Sequence, residues 1–240
     1  VRLVPFSGSR AITVHIGTLT LSNYFNANNR NITSSQNIQL LPGRSYTITL
    51  KFELGIQLAA SDITLTQNGC TANDKNNLAK LRWATGNLKS TGSANYVWTT
   101  ATDYGYYYTF YSTYTGNTDT NNTDPCSKLN TAYYGTGWRT PSRSTLIMLS
   151  RCTNKALVNK GMWFMNSSTG LFLPAAGYRN DNRGGSGTEA TTSLGTQGFY
   201  QSRDDAGGTV SYFMLFGNGS IDIGAFQKKD GKTVRCVKGD

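Results

Sequence analysis

Apolar and polar positions alternate along the first quarter of the chain. Ile12, Val14 and Ile16 fall on one side of an extended segment, and Leu19 and Leu21 resume the pattern. A period of two predicts strands with one face toward a core. The Asn-rich stretch 24–37 has no period and reads as a loop. Leu40-Leu41-Pro42-Gly43-Arg44 reads as a turn, and after it Tyr46, Ile48, Leu50 and Phe52 alternate strictly, the strongest strand signal in the sequence. Further short strands are predicted near residues 56–58 and 63–65. Residues 67–77 are polar throughout, which places a domain boundary there and divides the chain into 1–70 and 71–240.

The second segment has three local signatures. In Gly137-Trp138-Arg139-Thr140-Pro141-Ser142, Thr140 is a good N-cap and Pro141 suits the first helical position, where its missing N–H is not needed. Leu146, Ile147 and Leu149 supply a buried stripe, so a short helix is expected to end near Cys152. Asp103-Tyr104-Gly105-Tyr106-Tyr107-Tyr108-Thr109-Phe110-Tyr111 is the densest aromatic tract and reads either as a strand with tyrosines on both faces or as a stacking platform for sugar rings or bases. Residues 210–216 form a strand, Asn218-Gly219 a hairpin turn, and residues 221–226 the return strand.

Composition narrows the class. The 240 residues include 26 Gly and 14 Tyr, with only 15% charged residues, which suits a β-rich extracellular chain. The formal charge is +10, but the basic residues are scattered. Lys228, Lys229, Lys232, Arg235 and Lys238 are spaced like solvent-facing positions around a terminal strand, and no nucleic-acid module accompanies them. No apolar run reaches the roughly 18 residues a membrane-spanning helix needs. The chain opens on Val1-Arg2-Leu3-Val4-Pro5-Phe6, which reads as the interior of a domain and implies an export signal upstream.

Catalytic constellations are not found. The single histidine, His15, falls in a predicted strand of the first segment, away from any nucleophile context. Asp204-Asp205 with Asp222 could form a carboxylate set but sit in turn-like surroundings. Arg183-Gly184-Gly185-Ser186-Gly187 lacks the strand-to-helix context of a phosphate loop. The four cysteines, Cys70, Cys126, Cys152 and Cys236, are too widely spaced for a zinc site; three disulfide pairings are open to them, as are free thiols. No metal and no cofactor is expected.

Leu81-Arg82-Trp83-Ala84-Thr85-Gly86-Asn87, the Gly-Trp-Arg motif, Leu171-Phe172-Leu173-Pro174-Ala175-Ala176-Gly177-Tyr178-Arg179 and Thr233-Val234-Arg235-Cys236-Val237-Lys238, in that order, resemble the Fibrobacter succinogenes major paralogous domain over residues 78–238. That family is common in Bacteroidetes surface proteins and is related to the C-type lectin and formylglycine-generating-enzyme folds. Leu40-Leu41-Pro42-Gly43-Arg44-Ser45-Tyr46-Thr47-Ile48-Thr49-Leu50 resembles the C-terminal part of fimbrillin-like pilin and adhesin domains. Together these resemblances imply an N-terminal transthyretin-like β-sandwich, incomplete if residue 1 lies within it, and a C-terminal α+β lectin-like domain. They also imply the pairings Cys126–Cys236 and Cys70–Cys152. The reactive cysteine pair of the enzymes has no counterpart in context, and the Glu-Pro-Asn and Trp-Asn-Asp motifs of calcium lectins do not occur.

The ligand face of such a domain maps to Tyr178, Arg179, Asn180, Asp181, Arg183, Tyr200, Gln201, Arg203, Asp204, Tyr212, Asn218 and Asp222. The expected function is a surface adhesin or pilus-tip subunit, not an enzyme. Its partners would be a glycan or protein ligand on a host or neighbouring cell and other pilus subunits, with no nucleic acid. The alternatives are an enzyme of the formylglycine-generating or carbohydrate-active type, or a purely structural surface component.

Overall fold

The computed structural model describes residues 8–14, 17–21, 36–40, 46–52, 55–58, 69–90, 96–110, 112–113, 124–158, 160–164, 170–180 and 191–239. It is built mostly of strands, with few helices. The chain divides into two units, one of Val1–Leu54 with Thr131–Gly135, the other of Gly55–Asn130 with Thr136–Asp240.

The first unit contains β1 (Gly8–Val14), β2 (Gly17–Leu21), β3 (Gln36–Leu40) and β4 (Tyr46–Phe52). β1 pairs antiparallel with β4, and the register sets Ile12 opposite Ile48 and Val14 opposite Tyr46. The alternating positions seen in the sequence are thus cross-strand neighbours, as a fixed register requires. β2 pairs with β3, where Thr20 lies opposite Asn37. Asn37 therefore belongs to a strand rather than to the loop its polar neighbours indicated. His15, Ile16, the turn at 41–44 and the strand expected at 63–65 lie outside the described residues.

The remaining elements, in chain order, begin with β5 (Ile56–Gln57), α1 (Ala72–Lys80), β6 (Arg82–Trp83), β7 (Leu88–Ser90), β8 (Tyr96–Trp98), β9 (Tyr107–Thr109) and β10 (Ser112–Thr113). A 3-10 turn at Pro125–Lys128 precedes α2 (Thr131–Tyr134), β11 (Trp138–Arg139), α3 (Arg143–Cys152), β12 (Lys155–Val158), β13 (Gly161–Phe164) and β14 (Leu171–Pro174). Last come β15 (Tyr178–Arg179), β16 (Thr191–Thr192), β17 (Gln197–Gly207), β18 (Val210–Gly217), β19 (Ser220–Gln227), β20 (Lys232–Thr233) and β21 (Val237–Lys238).

The largest sheet of the second unit has the order β10-β9-β20-β17-β18-β19, with β17 and β20 parallel. A four-stranded sheet runs β11-β21-β6-β5 and a three-stranded one β12-β13-β14. Ile56 and Gln57, which the sequence reading placed in the N-terminal segment, pair with Trp83 and Arg82, and Leu58 is buried in the second unit's core. A strand of two residues takes its place from its partner strand, not from its own pattern.

α3 begins two residues later than the sequence implies. The Thr140 hydroxyl donates to Asp124 Oδ1 at 2.7 Å and the Thr140 N–H to Oδ2 at 2.8 Å, so this side chain is committed elsewhere. Ser142 is the N-cap, its Oγ accepting from the Thr145 N–H at 3.1 Å. The helix then buries Thr145, Leu146, Leu149 and Cys152 over β17, β18 and β19. Tyr200, Met214 and Phe216 meet it from the sheet, and Trp83, Leu78, Phe164 and Leu171 complete the core. Disulfides Cys70–Cys152 and Cys126–Cys236 join these layers, the pairing the resemblance implied.

Three of the four sequence motifs converge on one buried side chain. Arg235, 1% exposed, donates from Nε to Asn87 Oδ1 (2.9 Å), from Nη1 to the Ala84 carbonyl (3.0 Å) and from Nη2 to the Phe172 carbonyl (3.0 Å). Asn87 Nδ2 in turn donates to Tyr200 Oη at 3.2 Å, and the Tyr200 hydroxyl donates to the Pro174 carbonyl at 2.8 Å. Burial lowers the Arg235 pKa to about 10, opposed by Tyr200 beside it. Gly86 has to be glycine because a Cβ there would stand 1.8 Å from the Thr99 carbonyl oxygen. Replacing Arg235 by Leu would orphan three buried acceptors, at about 1–3 kcal/mol each before relief of the buried charge. We expect Arg235→Leu to lower unfolding free energy by about 3 kcal/mol in urea titration, and Arg235→Lys to fail to rescue it, because one ammonium lacks the planar fork that spans three directions.

Candidate functional site

The expected ligand residues separate into three groups. Tyr200 and Gln201 are each 1% exposed and Arg179 4%, so these three are parts of the fold. Gln201 Nε2 donates to the Thr109 carbonyl at 3.3 Å, and the Arg179 N–H to the Gly231 carbonyl at 2.8 Å. Tyr178 packs its ring 4.7 Å from Phe199 and 5.2 Å from Phe226, with Phe213 stacked on Phe199 at 5.7 Å. Asn180 next to it is half-buried, while Asp181 and Arg183 lie outside the described residues.

Arg203, Asp204, Tyr212, Asn218 and Asp222 lie on the β17–β19 part of the main sheet. Asp204 Oδ2 accepts the Arg143 N–H at 2.7 Å, placing a carboxylate at the positive end of α3. The Arg203 N–H donates to the Pro141 carbonyl at 2.9 Å. The Arg143 guanidinium stacks over the Tyr212 ring at 4.2 Å. Asp205 pairs with Lys228 at 2.7 Å, and that hydrogen bond holds its carboxyl below the ordinary range. Asp204 and Asp205 therefore serve capping and pairing rather than a carboxylate dyad.

The basic cluster near the C-terminus also differs from expectation. Lys232 and Arg235 are buried, not solvent-facing. Lys232 Nζ donates to the carbonyls of Gln227 (2.8 Å) and Asp230 (3.2 Å) and lies 5.2 Å from the centre of the Phe226 ring. A spacing argument could not find this, because the partners are main-chain oxygens.

An open groove of about 980 Å³ runs beside α3. Arg143, Ile147, Ser150 and Arg151 supply its helix wall, Asn154, Lys155, Leu157 and Met162 the hairpin wall, and Gly219–Ile223 the sheet wall. The helix residues are spaced i, i+4, i+7 and i+8, the period that puts side chains on one face. That spacing is the sequence signal for Arg143 and Arg151, which lie on a helix rather than in the polar loops. Lys155 Nζ donates to the Ser150 carbonyl at 2.5 Å, and partial burial lowers its pKa. Three cations, Arg143, Arg151 and Lys155, line the groove; Asp222 lies opposite Leu215 and alternates with Ile221 and Ile223, so its carboxylate is on the other face of the sheet, and Leu157 is 47% exposed.

Asn218 and Gly219 carry φ of 48° and 79°, the positive values a two-residue hairpin turn of this twist demands. They hold β19 as the last strand of the sheet. Among the described residues no group of three or more His, Cys, Asp or Glu could hold a metal ion, and no helix is long and apolar enough to cross a membrane. In comparisons with known proteins, no family model, no curated protein and no solved structure matches the chain.

Burial lowers the Lys232 pKa from 10.5 to about 8. Below pH 8 both folded and unfolded states hold the proton, and the burial penalty is present in full. Between pH 8 and 10.5 the folded state releases it first while the unfolded state keeps it, so this lysine's contribution to stability rises with pH. Between pH 7.5 and 9.5, thermal scans of the wild type should show stability increasing relative to Lys232→Met; parallel curves would contradict a depressed pKa.

Proposed function

We propose that this chain is a cell-surface adhesin or fimbrial subunit that binds a glycan or protein ligand non-covalently through its second unit. In this reading that unit is a C-type-lectin-like domain of the Fibrobacter paralogous kind, and the first a fimbrillin-like β-sandwich. The observation that carries it is the open, basic groove set on a rigid disulfide-linked scaffold. Fixed walls with exposed charged and apolar side chains suit recognition, since little order has to be created on binding.

Further support comes from how the reactive groups are used. All four cysteines are in disulfides, so no thiolate is available for chemistry of the formylglycine-generating type. Disulfides persist in oxidising surroundings, in keeping with an extracellular, surface-attached location. Asp204 and Asp205 are bonded to Arg143 and Lys228, respectively.

The test is a binding screen of the full chain against glycans, mucins and matrix proteins, with calcium and with chelator. A specific ligand should survive chelation and lose affinity about tenfold or more with Arg151→Glu, a reversal of an exposed charge in the last turn of α3 that costs the fold about 1 kcal/mol. Absence of any ligand, loss on chelation, or indifference to Arg151→Glu would each contradict this function for the groove.

A further inference from the structure

β19 is an eight-residue strand that, among the described residues, has one side occupied and the other open. The ladder to β18 fixes which backbone groups are spent. The two-residue turn makes Gly217 and Ser220 a hydrogen-bonded pair, and the alternation then assigns the inward N–H and C=O groups to Ser220, Asp222, Gly224 and Phe226. The Lys228 N–H donating to the Thr209 carbonyl at 2.8 Å continues the same alternation. Ile221, Ile223 and Ala225 therefore direct their N–H and C=O groups away from β18, and among the described residues they have no partner there.

This open edge is also the sheet wall of the basic groove. Ile221 and Ile223 lie opposite Phe216 and Met214, so their side chains are on the sheet face that α3 covers. The cations Arg143, Arg151 and Lys155 stand on that same side, while Asp222, the one carboxylate residue lining the groove, alternates to the opposite face of the sheet. Unpaired main-chain groups at a two-residue period call for another extended backbone, which a sugar ring lacks. Three cations call for an anionic one.

We propose that the groove binds an extended, acidic peptide segment that adds to β19 as an antiparallel strand, its carboxylates at every second position facing α3. This rests on the recognition function proposed above and specifies its ligand class. In antiparallel pairing, opposed residues share a face and exchange both hydrogen bonds. The peptide residues opposite Ile221, Ile223 and Ala225 therefore carry the carboxylates, and their own amides point to β19. The intervening amides point to solvent.

The test uses the full chain and a fluorescein-labelled octapeptide of alternating Thr and Glu, read by anisotropy. Binding should fall about tenfold or more with Arg151→Glu, with N-methylation at the Glu positions, and with Ala225→Pro, which removes an edge N–H at an exposed position where an edge strand tolerates proline. N-methylation at the Thr positions should leave affinity within about twofold. A heparin-derived oligosaccharide serves as the polyanion control. Should it bind in an Arg151-dependent way while the peptide does not, the peptide inference is overturned and the recognition function stands. If neither binds, the peptide inference is overturned, and the recognition function is decided by the screen of glycans, mucins and matrix proteins. Equal binding by the two methylated peptides, or loss only on Thr methylation, overturns antiparallel edge pairing.

Discussion

A guanidinium without a carboxylate partner organises the second unit. Among the described residues, Arg235 is held by an amide oxygen and two carbonyls, contributed by segments far apart in sequence. Burying a charge in this way is expensive unless its hydrogen bonds are made. The arrangement is therefore satisfied only when Ala84, Asn87 and Phe172 are all in place, with Tyr200 keyed through Asn87. Cys236, the next residue, is joined to Cys126, and Val237 pairs with Trp83. The disulfides span 82 and 110 residues, separations for which chain entropy favours the folded state by about 4–5 kcal/mol each. Hub and bridges together fix the main sheet to α3, and so fix the groove walls.

Legibility in the sequence followed the range of the interactions. Strict alternation from Tyr46 to Phe52 was readable because a strand's period is local, and Asn218-Gly219 because the turn needs positive φ at both residues. Short pieces such as Ile56–Gln57 are strands only through Trp83 and Arg82, and no local pattern announces them. The apparent cap at Thr140 was displaced by Asp124, sixteen residues away in sequence.

The same distinction explains the candidate site. Polar and aromatic residues point to a surface because side-chain type correlates with exposure. Tyr200, Lys232 and Arg235 are buried because main-chain oxygens and an amide satisfy them, a circumstance composition does not encode. Asp222 and Asn218 lie at the β18–β19 hairpin, yet what distinguishes this end of the sheet is the neighbouring helix face and a strand edge unpaired among the described residues. The edge is a topological property: β19 is last in the sheet order, whatever its residues.

A free edge is ordinarily protected against unwanted pairing. Here cations beside it select against neutral and basic strands, so exposure and specificity are compatible. The most direct measurement of this account is residue-resolved amide exchange of the full chain, alone and with the acidic octapeptide. Ile221, Ile223 and Ala225 should exchange quickly in the free protein and become protected on binding, while Asp222, Gly224 and Phe226 remain protected throughout. Protection of Ile221, Ile223 and Ala225 in the free protein, or no change on adding the peptide, would contradict it.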